Sequence, residues 1–567
     1  MPVSAGKPAN VLPGLAAFCL ILAAYLLTFS HHYDDALDTA RRMQCGDLQA
    51  MFEFRHLISR LMPFWFWSGL RASGIGVSAL FALQLADFVS AAATVVLLFA
   101  LLRRLEVSRR IAVAATFTFA TSWAFWMYAG TGRPYSTALA LSVAAYLVAA
   151  SMDEEVSERV LLLRAFGAGA LVMLSCLFWM QQFTNCLGVG LLVALRPQGR
   201  SLWRRGGYLG LYAATGLILG ILILVSGFRY TGVVHAPDQI PAWIAGTTTA
   251  PVKFDVSSVM KAAYGQAGGI VKLEFLGFMI NGFIRHDPRL LQLGSFPWEA
   301  GKFIVAWILV APLYLYPLLV FRRAGSGRQA VLASFFLPLA VNVIFGLAWL
   351  GSDQQRFQPS FPSLAVLGAL SAASLLEHLR EKLRWRRAAV AAILSLLAFV
   401  AGVNLIDGVL REQREFTVLA QDMEHARGST GENDFVIFFG RDLSVTYHTM
   451  LSYYLGPAYV DLDDEAYFHW ERADWAQQLA SRINPVLSRG GRVYVVDRLA
   501  LGVNPISAAW SEVQRPYPKV KDIAGFLGDH YCLTPGWRIE SISYWRVSPK
   551  TSPCPPAPGA SQAGVHP

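Results

Sequence analysis

Apolar runs of membrane-crossing length recur through the first four hundred residues. A helix needs about 20 apolar residues to span a hydrocarbon core. Ten stretches approach that length: 11–29, 77–102, 111–128, 135–150, 165–195, 207–227, 303–321, 330–350, 361–376 and 388–406. The run 165–195 is too long for one upright crossing and is interrupted by the polar "MQQFTN" at 180–185. Two short helices joined by a polar turn fit it better, which brings the expected number of crossings to about eleven.

Charge decides the orientation. Arg103, Arg104, Arg109 and Arg110 form one basic cluster, Arg196, Arg200, Arg204 and Arg205 a second, Arg322, Arg323 and Arg328 a third, and Arg380, Lys382, Arg384, Arg386 and Arg387 a fourth. Each falls between apolar runs, as expected for cytoplasmic loops under the positive-inside rule. The amino terminus is then cytoplasmic, and the opposite face receives 30–76, a short loop at 130–134, the turn at 181–184, a long loop 228–300, a short loop 351–358, and everything after about 407. The first run is expected to stay as a helix, because its amino-terminal flank holds only Lys7 and no small-x-small cleavage site precedes the polar residues that follow.

Beyond 406 the pattern changes. A charged helical connector, "LREQREFTVLAQDMEHARG", leads to "NDFVIFFG" and "GRVYVVD", two short runs rich in β-branched residues, with the helical "WAQQLASRINPVL" between them. This alternation predicts a small α/β domain with a partly parallel sheet over 407–548, followed by a disordered tail, 549–567, rich in Pro, Gly and Ser. Gly440 is a single glycine after a strand, with no glycine-rich phosphate loop around it.

Composition agrees with the pattern. The 567 residues are 54% hydrophobic and 15% charged, against roughly 25% charged in soluble domains. The net charge of +10 resides in the loop clusters, so it marks topology and implies no nucleic acid. The six cysteines form no CxxC pair and have no zinc-ligand spacing, although Cys532 and Cys554 are placed to pair in an oxidising compartment. The Arg- and Ala-rich composition suggests a GC-rich bacterial source and hence the bacterial inner membrane, with the carboxy-terminal domain periplasmic.

Candidate chemistry collects on that one face. Asp34 and Asp35 follow the first crossing in "FSHHYDDALDTARRMQCG". They are read either as the polar start of a loop helix or as a general base beside a lipid-embedded reaction site. His31 and His32 point apart on most backbones, which argues against a metal site there. "FEFRHLISRLMPFWFWSGL" reads as an interfacial amphipathic helix, with Arg55 and His56 as substrate-binding candidates. Gln181 and Gln182 in the polar turn are candidates of the same kind. Arg133 and Arg356 run against positive-inside, and each stands next to a Pro-marked helix start, a setting suited to a phosphate. Asp87 is a carboxylate in the middle of the second run, a functional candidate by default unless it only bonds a neighbouring helix.

Together these stretches resemble the GT-C superfamily of integral-membrane glycosyltransferases, which take a sugar from a polyprenyl-phosphate carrier. The resemblance covers about 11–406. It begins at Asp34/Asp35, where the family carries an essential acidic residue in the first external loop. It continues through "RHLISRLMPFWFW", "SWAFWMYAGTGRPYSTALAL" and "WMQQFTNCLGVGLLVAL" to "DQQRFQPSFPSLAVLGAL", where an Arg before Pro commonly reaches the donor phosphate. It implies a polytopic α-helical membrane protein of about eleven transmembrane helices, with 1–406 as the GT-C-like domain and an extracytoplasmic α/β domain after it. It further implies inverting transfer to an envelope acceptor (glycolipid, polysaccharide or protein), with Asp34, or else Asp35, as base and Arg356 with Arg133 on the phosphate. The second acidic residue that many members carry in the next external loop is replaced here by Arg133 in "GTGRPY". No cofactor is therefore implied, and a divalent metal is allowed but unsupported. The competing functions are a transporter or flippase for a lipid-linked or polar solute, which Asp87 favours and the lack of a repeated half disfavours, and a non-catalytic scaffold acting through its external domain.

Overall fold

The computed structural model describes residues 11–28, 34–54, 56–153, 156–246, 256–273, 296–348, 354–414, 433–438, 458–461, 475–496, 500, 520–539 and 542–550. Arg55, His31, His32, Asp353 and Cys554 fall outside them, as does 551–567. The chain divides into two compact units, Met1–His32 with Arg42–Gln413, and Tyr33–Arg41 with Arg414–Pro567.

The first unit is helical. Its elements are α1 (Val11–Leu27), the second part of α2 (Asp34–Cys45), α3 (Leu61–Ala72), α4 (Ala79–Arg104), α5 (Arg109–Thr121), α6 (Trp123–Tyr128), α7 (Tyr135–Ala150), α8 (Glu158–Phe178), α9 (Phe183–Leu195), α10 (Leu202–Thr231), α11 (Val256–Ile270), α12 (Phe296–Val320), α13 (Ser326–Ala348), α14 (Phe361–His378) and α15 (Leu383–Val403). Among the described residues seven helices are long and apolar enough to cross a membrane, and Gly14–Leu27, Tyr135–Ala150 and Met180–Leu195 are shorter apolar helices. The polar interruption at 180–185 is a real break: α8 ends at Phe178, a single 3-10 turn covers Met180–Gln182, and α9 starts at Phe183. The long loop 228–300 is partly helical, since it contains α11.

Small residues let these helices approach closely, the usual solution where no hydrophobic effect drives packing inside a bilayer. Gly169 of α8 lies directly against the backbone of Tyr212 on α10, and Gly188 of α9 against the Tyr146 hydroxyl and the Ser334 carbonyl. At one end of the bundle Asp153 bridges Arg104 and Arg196, and Glu158 faces Arg200 and Arg204. This joins the first two basic clusters by ion pairs. Beyond α15 the helix widens into a π-helix, Asn404–Leu410. Asn404 there donates to the carbonyls of Thr121 (2.7 Å) and Ile270 (2.8 Å), while Asp407 faces Lys302 at 3.5 Å. Lys302 is fully buried and also pairs with Glu299 at 2.5 Å.

The second unit carries a five-stranded mixed sheet of order β2-β1-β3-β5-β4, built from β1 (Phe435–Phe438), β2 (Ala458–Asp461), β3 (Val493–Val496), β4 (Tyr531–Ile539) and β5 (Ile542–Pro549). The two β-branched runs of the sequence are β1 and β3, paired in parallel, whereas β5 runs antiparallel to both β3 and β4. Asp434 and Arg492 pin the starts of β1 and β3 together through guanidinium contacts of 2.8 and 3.1 Å. Cys532 is disulfide-bonded.

Candidate functional site

The loop joining α6 to α7 is built around a buried carboxylate. Gly132 takes a left-handed conformation (φ 84°), which turns the chain tightly enough for Pro134 to start α7. Asp87, from the middle of α4 and only 2% exposed, accepts the Gly132 amide at 3.1 Å, and the Arg133 and Ser136 amides also face its carboxylate. Gln84 donates to the Gly130 carbonyl at 3.1 Å. The α4 helix thus supplies hydrogen-bond partners for the unpaired amides at the start of α7. Asp87 thus bonds the start of a neighbouring helix, one of the two roles its position allows.

That loop fixes Arg133. Its guanidinium is buried between the rings of Tyr128 and Tyr135, 5.3 and 5.7 Å from their centroids, and its Nη1 donates to Gln355 Oε1 at 2.9 Å. The Tyr135 hydroxyl donates to the same oxygen at 2.6 Å. Gln355 is 222 residues from Arg133 in sequence and adjacent to Arg356. The two arginine-bearing turns therefore lie against each other.

The turn Gln354–Ser360 that carries Arg356 is held by its backbone. The Arg356 carbonyl accepts from Gln181 Nε2 and from Asn342 Nδ2 (2.9 Å), the Pro359 carbonyl accepts from Asn185 Nδ2 (3.0 Å), and Gln358 donates to the Ala124 carbonyl (2.8 Å). Gln182 is fully buried and accepts from Ser142 (2.9 Å) and Asn185 (2.7 Å), while the Tyr146 hydroxyl donates to Asn185 Oδ1 (3.1 Å). Gln181 thus holds the Arg356 turn directly, and Gln182 holds Asn185, which bonds the Pro359 carbonyl of the same turn. Asn185→Leu removes three bonds of this network. At about 0.6 kcal/mol per interhelical bond, plus the unpaired groups left behind, it is expected to cost about 2–3 kcal/mol, visible as a lower unfolding temperature in detergent.

The remaining sequence candidates come from the first external loop. His56 Nδ1 is 3.3 Å from the Phe178 carbonyl, and its ring lies 6.5 Å from that of Tyr135, which in turn packs 4.5 Å from Trp179. His56 therefore extends the aromatic wall around Arg133. Glu53 pairs with Arg60 at 2.5 Å and with Arg42 at 3.8 Å, and both arginines donate to the Ala50 carbonyl. Burial pushes the Glu53 carboxyl upward, but Arg60, His56 and Arg42 outweigh it and hold its pKa below the ordinary value. A depressed carboxylate pKa stabilises the folded loop above the unfolded-state pKa, near 4.3, and that stability is lost as pH falls through the lower folded-state value. Protease nicking of this loop is expected to rise on acidification in the wild type, and Glu53→Gln is expected to be nicked faster at pH 7 with little further change in acid. Asp34 and Asp35 are the first two residues of α2, where the helix dipole favours carboxylates.

An apolar groove of about 370 Å³ runs between α5, α12, α14 and α15. Along α14 it extends from Phe361 to Leu375, about 21 Å at the α-helical rise, and passes the small residues Ala365, Gly368 and Ala372. Phe361 follows the Arg356 turn directly. Among the described residues no cluster of three or more His, Cys, Asp or Glu is arranged to hold a metal ion.

No protein-family model and no curated protein matches the chain. Solved structures do. ArnT from Cupriavidus metallidurans, in the apo state and bound to undecaprenyl phosphate, aligns at 12% identity over 94% of this chain and 97% of that one, with a TM-score of 0.55. The Archaeoglobus fulgidus oligosaccharyltransferase in complex with Zn and sulfate aligns at 13% identity over 94% of this chain and 73% of that one, with a TM-score of 0.51. Both are GT-C glycosyltransferases, and the fold of this chain is theirs.

Proposed function

We propose that a protein with this fold and this site is a membrane glycosyltransferase, moving a sugar from a polyprenyl-phosphate carrier to an envelope acceptor. One observation carries the proposal: two arginine turns locked side by side, one of them leading directly into an apolar groove long enough for several isoprene units. Guanidinium groups suit a lipid phosphate, and the groove suits its hydrocarbon. The ArnT neighbour's complex with undecaprenyl phosphate supports the same donor class.

In the proposed reaction Asp34 or Asp35 takes the proton of an acceptor hydroxyl as its oxygen attacks the anomeric carbon. The bond from that carbon to the phosphate oxygen breaks, with inversion, and Arg356 aided by Arg133 stabilises the charge gathering on the departing lipid phosphate. His56 lines the site, with Arg55 as its neighbour in sequence. The proposal includes about eleven crossings, a cytoplasmic amino terminus, a periplasmic carboxy-terminal domain and residence in the bacterial inner membrane. The transporter reading loses its main support, because Asp87 is committed to the Gly132–Ser136 backbone.

Binding of undecaprenyl phosphate to the protein in nanodiscs, followed by native mass spectrometry, tests the donor class. Saturable binding that weakens at least about tenfold in Arg356→Gln, as expected for loss of one charge-assisted bond, supports it. Binding indifferent to both Arg356→Gln and Arg133→Gln removes it.

A further inference from the structure

Two thiols that the proposed reaction does not use face each other across the break between α8 and α9. Cys176 lies just before the end of α8 at Phe178, Cys186 lies in the first turn of α9, and their Sγ atoms are 3.5 Å apart. Both are free and only partly buried. The stretch between them contains the whole polar turn, with Gln181, which donates to the Arg356 carbonyl, and Gln182, which accepts from Asn185. Met180 and Phe183 beside the break are exposed, so it opens to the surroundings. A disulfide holds its sulfurs about 2.05 Å apart, and small χ1 rotations on both sides supply that approach. Oxidising conditions are indicated independently by Cys532, which is disulfide-bonded. The topology proposed above gives the polar turn and the carboxy-terminal domain the same compartment.

We infer that Cys176 and Cys186 form a dithiol modification site, oxidised to a disulfide by a disulfide-bearing oxidant of the extracytoplasmic compartment, and that the link clamps the turn that holds Arg356. One thiolate attacks the S–S bond of the oxidant and forms a mixed disulfide. The second thiolate then displaces the remaining sulfur of the oxidant. The two electrons of the new bond's formation pass to the oxidant, which leaves as two thiols carrying the two protons. The product joins the end of α8 to the start of α9, so the ends of the helices can no longer part. Gln181 and Asn185 then hold the Arg356 and Pro359 carbonyls from a fixed base. The inference rests on the proposed function only for the outward placement of the turn and for the use of a stiffened Arg356; the link itself needs neither sugar transfer nor carrier.

The test uses the full chain in nanodiscs, purified without reductant, equilibrated with oxidised glutathione, alkylated in denaturant and digested for peptide mapping. The expected result is a peptide pair joined through Cys176 and Cys186, with the exposed Cys19 and Cys45 alkylated or capped singly by glutathione. Hydrogen exchange of the intact protein reads the clamp. Amides of the 354–360 turn are expected to exchange about tenfold more slowly in the linked protein than in the reduced one, within the roughly hundredfold that closing a loop of this length allows. Cys176→Ser and Cys186→Ser, each with the unfolding temperature of the reduced wild type, are expected to lose both the link and the redox dependence of that exchange. Cys176 and Cys186 both left open to alkylation, or each capped singly by glutathione, overturns the inference, and so does equal exchange at 354–360 in linked and reduced protein. The proposed function fails on carrier binding and this inference on the peptide map and the exchange, so the two failures are distinguishable.

Discussion

Asp34→Asn or Asp35→Asn, whichever removes the base, lowers sugar transfer by about 10²- to 10⁴-fold, the range that general-base catalysis contributes, while folding and carrier binding persist. Both carboxylates open α2, so either substitution also alters a helix start, and that effect sets the control. Loss of a stabilising charge at a helix start costs about 0.3–1 kcal/mol, which lowers the unfolding temperature slightly and leaves transfer intact. A rate loss of several orders at unchanged unfolding temperature therefore belongs to the chemistry. The pH profile separates the two further: a base mutant loses the acidic limb of the rate profile, and a helix-start mutant keeps it. Full activity in both single variants and in the double variant removes the assignment.

Arg356→Gln lowers transfer by about 10²- to 10³-fold, the size of effect seen when one preorganised donor to developing charge is lost. Its turn survives the substitution, because the bonds that hold it run from Gln181, Asn342 and Asn185 to main-chain carbonyls. The loss should therefore appear in kcat and, through the weaker phosphate binding predicted above, in donor KM, with the fold intact. Arg133→Gln differs in kind. Its guanidinium ties the α6–α7 loop to Gln355 between two tyrosine rings, so its removal also loosens the packing of the neighbouring turn. It is expected to raise KM as well as lower kcat, and to lower the unfolding temperature where Arg356→Gln does not. Thermal unfolding of the two variants, beside steady-state rates over a range of donor concentrations, checks the difference.

The sequence made several of these features legible because each leaves a local signature. Polar residues at 180–185 inside an apolar run announce a helix break, and the structure breaks the helix there. The β-branched runs "FVIF" and "VYVV" announce strands, and they pair in parallel. Arg133 and Arg356 stand out because they break the charge bias that the hydropathy pattern predicts for their loops. The meeting of those arginine turns through Gln355 leaves no such trace, since a contact across 222 residues depends on how the helices between them stack. Gln181 and Gln182 illustrate the same limit from the other side. Their polarity marks them as important, but only the fold shows their amides directed at the Arg356 turn and the Asn185 network. The cluster of buried Lys302 and Glu299 with the partly exposed Asp407 is hidden for a different reason: in sequence its members look like ordinary charges at the ends of apolar runs. The π-helix at Asn404–Leu410, which brings Asp407 to Lys302, has no distinct hydrophobic period.

The central claim is transfer itself. Purified protein in lipid, incubated with a panel of radiolabelled polyprenyl-phosphate sugars and an envelope lipid extract, should move label from one donor into an extract component, with Asp34→Asn or Asp35→Asn abolishing the transfer. No transfer from any donor, by folded protein that binds undecaprenyl phosphate, would contradict the enzyme assignment and leave a lipid-phosphate binding protein in its place.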